Sequence, residues 1–174
     1  MDKIEVLFSK EQIASRVDEL AEKINEKYKG EEELTAVCVL KGSSLFYADL
    51  VRKINIPTKF EFIRLSSYGN DTKSAHKFYD IKLNVSDLTG KNVIVVEDIV
   101  DSGYTLSFLN KYLNEKYKMK SYTTVAFLNK PLARDKGSID ADLYGFEVDN
   151  KFVVGYGLDK EGLYRNLDYI GYIN

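Results

Sequence analysis

At 174 residues with 44% hydrophobic content, the chain is long enough for one well-filled core and too short for the size at which cores divide, so a single domain over residues 1–174 is expected. Lys and Arg total 25 against 27 Asp and Glu, a formal net charge of -2, which leaves no global positive excess to collect a nucleic-acid backbone. The one cysteine, Cys38, cannot form an internal disulfide, and the one histidine, His76, excludes a multi-histidine metal site. The opening MDKIEVLFSKEQ lacks the basic start, apolar stretch and cleavage site of a secretory signal, and no later apolar run has membrane-spanning length; a soluble, cytoplasmic protein is the expectation.

Ser9 and Gln12 have capping-box spacing, and Ile13, Val17, Leu20, Ala21, Ile24 and Tyr28 recur at helical intervals until Gly30, which predicts an amphipathic first helix. Residues 34–40 form a Val-rich apolar run, too short for a helix and suited to a strand buried on both faces, and Lys41-Gly42-Ser43-Ser44 breaks it. A second helix is predicted over about residues 45–53, then a turn at Pro57 and a strand over 59–65. Residues 66–77 are polar and aperiodic and contain Gly69, Asn70, Asp71 and His76; an excursion of that length in a compact domain reads as a lid. A third buried strand is predicted over 93–96, followed by a helix whose apolar face is Leu106, Leu109, Leu113 and Tyr117. Residues 123–128 make a fourth strand, 143–146 and 152–156 are short strands, 156–162 is irregular, and 169–173 is predicted as a last edge strand.

Buried strands alternating with helices imply an α/β fold, a mainly parallel central sheet flanked by helices, because parallel neighbours require crossover connections. Ligands in such sheets sit at the carboxyl ends of the strands. The loops after Leu40, Leu65, Val96 and Leu128 are therefore where chemistry is expected.

The loop after Val96 is the most informative of these. Two adjacent acids, Glu97 and Asp98, precede Asp101-Ser102-Gly103-Tyr104-Thr105, which runs directly into a helix. Unpaired N–H groups at a helix start carry the positive end of the dipole and form an anion site. Gly103 admits a close backbone approach to a phosphate, and Ser102 and Thr105 add hydroxyl donors. The two carboxylates suit either the vicinal hydroxyls of a ribose or a hard Mg2+ ion, so a phosphorylated sugar fits both halves. Taken singly, each residue is an ordinary cap or solvated acid; five of them packed between a buried strand and a helix are not. No GxxxxGK[ST] occurs, and Gly155, Gly157 and Gly162 lack GxGxxG spacing, which removes ATPase and dinucleotide readings.

VIVVEDIVDSGYTL (residues 93–106) resembles the phosphoribosyl diphosphate signature of the type I phosphoribosyltransferases, and the Glu-Asp pair with Asp101 resembles the hypoxanthine-guanine branch. VLKGSSLFYADL (39–50) is similar to that branch's diphosphate loop, RLSSYGND (64–71) to its lid, and KFVVGYGLD (151–159) to its purine site, so the resemblance covers nearly the whole chain. It implies that fold, with a small hood built from the chain ends, and transfer of a 5-phosphoribosyl group from 5-phosphoribosyl 1-diphosphate to a 6-oxopurine with Mg2+ as cofactor.

Site residues are likewise implied by resemblance. Glu97 and Asp98 would hold the ribose hydroxyls and Mg2+, and Asp101, Ser102, Gly103, Tyr104 and Thr105 the 5'-phosphate, with Tyr104 standing where some relatives have lysine. Asp101 would also take the N7 proton of the purine. Sister branches that use adenine or orotate typically have no acid there. Leu40, Lys41 and Gly42, whose Leu40-Lys41 peptide resembles one that can be cis, would grip diphosphate with Ser67, Tyr68 and Arg165. Lys130 would donate to the purine O6, Phe152 would stack on the ring, the Val153 backbone would read its edge, and Asp159 would ligate a second Mg2+. The family also implies a homodimer or homotetramer, for which 13 tyrosines and 9 phenylalanines are suited. The alternative is a ligand-sensing regulator of this fold that binds nucleic acid; the acidic balance, Asp101 and the purine motif count against it.

Overall fold

The computed structural model describes residues 3–67 and 79–173, with the backbone alone for residues 66–67 and 79–84. The lid expected over residues 66–77, with Tyr68 and His76, lies outside the described residues except for Ser66 and Ser67, which close the third strand.

The first helix, α1 (Lys10–Lys27), starts where its capping box places it. Ser9 Oγ accepts from Gln12 N at 3.3 Å and Gln12 Oε1 accepts from Ser9 N at 2.9 Å, and Ile13, Val17, Leu20, Ala21 and Ile24 are buried. Before it lies a strand without a strong sequence signal, β1 (Ile4–Phe8). The Val-rich run forms β2 (Leu34–Leu40), and α2 (Ser44–Val51) and β3 (Thr58–Ser67) follow. A strand that the sequence reading did not anticipate, β4 (Tyr79–Asn84), pairs antiparallel with β3 at the edge of the sheet.

The strand expected over 93–96 is longer, and β5 runs from Asn92 to Val100. Its pairing with β2 stops at Cys38 and Val96, but pairing with β6 (Ser121–Asn129) continues to Val100 and Asn129. Glu97 and Asp98 are therefore strand residues beside an edge that β2 has vacated. Between β5 and β6 lies α3 (Tyr104–Lys116), and β7 (Leu143–Glu147) completes a six-stranded sheet of order β4-β3-β2-β5-β6-β7, parallel except at β4.

Alternation along the strands sorts the core onto two faces. Ala36, Cys38, Ile94 and Val96 pack with α1 and α2; Val37, Val39, Val93 and Val95 pack with Leu109 and Leu113 of α3. From β2 the chain passes through α2 to β3 on one side, whereas β5 lies on the other and leads through α3 to β6. Such a reversal leaves a crevice at the carboxyl ends of β2 and β5.

Near that end lies the hood, an antiparallel sheet of order β1-β9-β8 with β8 (Phe152–Val154) and β9 (Ile170–Ile173). The last strand was expected at an edge; it is central, because β1 pairs with its other side. Phe8 stacks on Phe146 of β7 at 4.0 Å, and Tyr156 Oη donates to Asp49 Oδ2 of α2 at 2.8 Å, which fasten the hood to the main layer. No helix among the described residues is long and apolar enough to cross a membrane.

Phe127 of β6 is the shared wall of these contacts, with ring centroids 4.7 Å from Phe46, 5.6 Å from Phe146 and 5.1 Å from Tyr156. Removing a buried ring costs about 3–5 kcal/mol. Phe127→Ala is expected to lose that much in urea unfolding, and a loss below about 1 kcal/mol would show that the hood does not depend on it.

Candidate active site

The crevice is built on two close approaches of backbone to side chain. After β2 the chain turns through a cis Leu40-Lys41 peptide, and Ser43 Oγ donates to Val39 O at 2.6 Å, which holds the turn against its own strand. Gly42 then lies so near β5 that a Cβ on it would stand 1.5 Å from Asp98 Oδ2. From the hood side Gly157, at φ 99°, lies over Gly42, and a Cβ there would stand 2.0 Å from Gly42 O. Three segments far apart in sequence thus meet through two glycines and one carboxylate.

Glu97 is buried, and its Oε2 has no hydrogen-bond partner. Burial, reinforced by the negative Asp98 beside it, holds the Glu97 carboxyl well above the ordinary carboxylate range. Burial also raises Asp98, opposed by hydrogen bonds from Glu97 and from Ile99 N, 2.8 Å from Asp98 Oδ1, and by the charge of Arg165. A pair of adjacent carboxyls with an unpartnered buried oxygen fits a hard divalent cation, which takes one or two protein carboxylates and completes its shell with water and substrate oxygens. No cluster of three or more His, Cys, Asp or Glu suited to a metal occurs among the described residues.

Beyond the acids, a cleft of about 230 Å³ is lined by residues 97–106, including Asp98, Asp101, Ser102, Gly103 and Thr105. Asp101 is exposed, and Lys130, buried at 6% exposure at the end of β6, approaches its Oδ2 with Nζ at 3.4 Å. Gly103 is the N-cap of α3 at φ 79°. Its lack of a side chain also suits its neighbours: a Cβ would meet Ser138 Oγ at 2.7 Å and Arg134 at 2.9 Å, so the glycine admits residues 134–138 beside the loop.

On the hood side, Arg165 Nη1 donates to Gly157 O at 2.6 Å and Nη2 pairs with Asp159 Oδ1 at 2.5 Å, while Asp159 Oδ2 accepts from Gly162 N at 2.7 Å. Phe152 opens β8 and is 53% exposed, and Val153 beside it is buried and paired with Tyr172. The fold therefore joins Gly42 to Asp98, Lys130 to Asp101, and Arg165 to Asp159 and the charge of Asp98. Leu40 is half-buried and Lys41 exposed on the first turn; of Ser67 only the backbone is described. Sequence reading missed Arg134 and Ser138, which sit in a charged stretch with no periodicity to single them out.

The phosphoribosyl transferase domain model matches residues 4–161. The chain is 42% identical to the hypoxanthine-guanine phosphoribosyltransferase of Mycobacterium avium, across 95% of this chain and 83% of that one. Its identity to the Bacillus subtilis enzyme of the same name is 43%, over 95% and 91%. The chain belongs to the hypoxanthine-guanine phosphoribosyltransferase family. In that family a crystal structure of the Bacillus anthracis hypoxanthine-guanine phosphoribosyltransferase superposes with a TM-score of 0.91 at 41% identity, covering 100% of both chains. The hood and the five parallel strands of this phosphoribosyltransferase are thus those of its family.

The raised Glu97 carboxyl has a consequence for stability. The folded state keeps this proton to a higher pH than the unfolded chain, whose value is near 4.5, so above that pH it binds more protons. Stability is lost as pH rises from there through the folded value, and then levels. Without divalent metal, Glu97→Gln is expected to be more resistant to urea than the parent at pH 8, with the gap closing toward pH 4; a gap independent of pH would exclude the buried charge as its cause.

Proposed function

We propose that the chain forms IMP or GMP and diphosphate from 5-phosphoribosyl 1-diphosphate and hypoxanthine or guanine, serving purine salvage. The observation that carries this reading is the convergence of Asp101 and Lys130 beside the cleft that starts at Glu97 and Asp98. A carboxylate that accepts the N7 proton and an ammonium that donates to O6 together match a 6-oxopurine. Adenine, with an amino group in place of O6, would set a donor against Lys130.

In this reading the amides from Ser102 to Thr105 and the start of α3 bind the 5'-phosphate, with Tyr104 completing the loop. Glu97 and Asp98 hold the ribose hydroxyls and Mg2+. When bound, Mg2+ supplies neutralising charge to the diphosphate oxygens. The backbone of Leu40, Lys41 and Gly42, with Arg165, grips the diphosphate; the roles expected of Ser67 and Tyr68 there fall on side chains outside the described residues. Asp159 would hold a second Mg2+, and Arg165, paired with Asp159 Oδ1 at 2.5 Å, would contact the diphosphate that this ion carries.

The exposed ring of Phe152 supports a role as stacking platform, and the peptide of Val153, held by pairing with Tyr172, reads the purine edge. The C1'–diphosphate bond lengthens as N9 approaches, positive charge grows on the ribose ring, and Asp101 receives the N7 proton. Catalysis is then a matter of positioning and charge stabilisation. Lys130, 3.4 Å from Asp101 Oδ2, holds that carboxylate in place until the base arrives. We further propose that one domain carries all of this and assembles as a homodimer or homotetramer, with exposed Leu45, Phe60 and Phe62 as apolar contact surface.

Mixing the protein with hypoxanthine, 5-phosphoribosyl 1-diphosphate and Mg2+ should yield IMP, and removing Mg2+ with a chelator should abolish turnover; no product from hypoxanthine, guanine or xanthine would refute the assignment. Asp101→Asn is expected to lower kcat by about 10²–10⁴-fold with a small change in KM for 5-phosphoribosyl 1-diphosphate. Undiminished kcat would remove Asp101 from the base role.

A further inference from the structure

The loop from Asp101 to Thr105 is held from behind by a bracket drawn from the segment after β6. Arg134 Nη1 donates to Asp101 O at 3.0 Å, and its Nη2 contacts Asn129 Oδ1 and pairs with Asp140 Oδ1 at 2.6 Å. Asp135 N donates to Ser102 O at 3.0 Å, and Ser138 Oγ lies 2.7 Å from the same oxygen. Ile139 N donates to Ser107 Oγ of α3 at 2.9 Å. Arg134 is 13% exposed and its Nε is buried without a partner, so an extended, strongly solvated side chain has been folded into the protein. Surface solvation does not account for that placement.

Peptide geometry turns these contacts into an orientation. In a planar trans peptide the C=O and N–H point in opposite directions. Holding the carbonyls of Asp101 and Ser102 toward the bracket therefore directs the next two amides, Ser102 N–H and Gly103 N–H, away from it, and Gly103 has no side chain where Arg134 and Ser138 pack. Anion binding by backbone amides depends on that preorganisation, because a loop free to rotate its peptides would spend binding energy on ordering them.

We propose that Arg134, with Ser138, is a positioning residue that aims the phosphate-loop amides and fixes the backbone of Asp101 while Lys130 fixes its side chain. This rests on the reading of Asp101–Thr105 as the 5'-phosphate cradle. One segment, residues 129–140, then reads the base through Lys130 and sets the phosphate site through Arg134, so base and phosphate subsites share a single rigid support.

The test compares ligands with and without the 5'-phosphate. By calorimetry, Arg134→Gln is expected to weaken IMP binding about tenfold or more and Ser138→Ala about threefold, the scale of one charged and one neutral hydrogen bond. Binding of inorganic diphosphate with Mg2+ should change less than twofold in both. Arg134→Lys, which keeps the charge but not the fork, should recover only part of the loss. Unchanged IMP affinity in both Arg134→Gln and Ser138→Ala overturns the inference, as does an equal loss for IMP and diphosphate. Should Arg134→Gln fail to fold, Ser138→Ala decides alone. If the parent protein itself fails to bind IMP, the functional reading falls instead, which separates the two failures.

Discussion

Two adjacent carboxylates at the end of a buried strand are the constraint around which the rest of this molecule is arranged. Glu97 and Asp98 extend past the point where β2 leaves β5, and removing them from water is costly unless charge is supplied from elsewhere. Among the described residues, Arg165 supplies positive charge to Asp98, and Arg165 is itself shared with Asp159 and Gly157 O. The pair is thus electrostatically incomplete in the protein alone. A cation bound at such a pair would relieve a penalty already present in the fold.

The incompleteness is kept by backbone packing. Gly42 leaves no room for a side chain against Asp98, and Gly157 leaves none against Gly42. The first turn after β2 and the hood turn therefore press on the acids through main-chain atoms, which offer amides and carbonyls at fixed positions instead of mobile side chains. The hood holds its place through aromatic contacts, Phe8 on Phe146 and Tyr156 on Phe127, and through Tyr156 Oη on Asp49. Packing far from the chemistry in this way sets distances within it.

Phosphoribosyl transfer asks for little covalent participation by the protein, so the functional demands fall on position and charge. The described residues place an acid beside a lysine at the mouth of the cleft, an exposed phenylalanine on the hood, and a loop at a helix start braced by Arg134 and Ser138. Each is held by a contact to a different element. Sheet, hood and the segment after β6 must all form before the arrangement exists.

Much of this was legible in the chain before folding was considered. The periodicity of Ile13 to Ile24, the Val-rich run 34–40 and the acids ahead of Asp101-Ser102-Gly103 determine an α/β layer and a sugar-phosphate motif, because these are local patterns that the backbone periods 3.6 and 2 translate directly. The unassisted pattern stopped β5 at Val96 and put β9 at an edge, since strand length and neighbours depend on partners distant in sequence: β6 carries β5 on to Val100, and β1 covers β9. Gly103 is clear as a glycine needed near a helix start, but its neighbours Arg134 and Ser138 are not, for they come from an aperiodic loop that resembles ordinary solvated surface. What the sequence determined by itself is the set of elements and the chemistry each can carry. Which carboxylate faces which cation, and which glycine touches which oxygen, was decided by tertiary contacts between residues far apart in sequence, as with Tyr156 and Asp49, |i−j| = 107, and Lys130 and Asp101, |i−j| = 29.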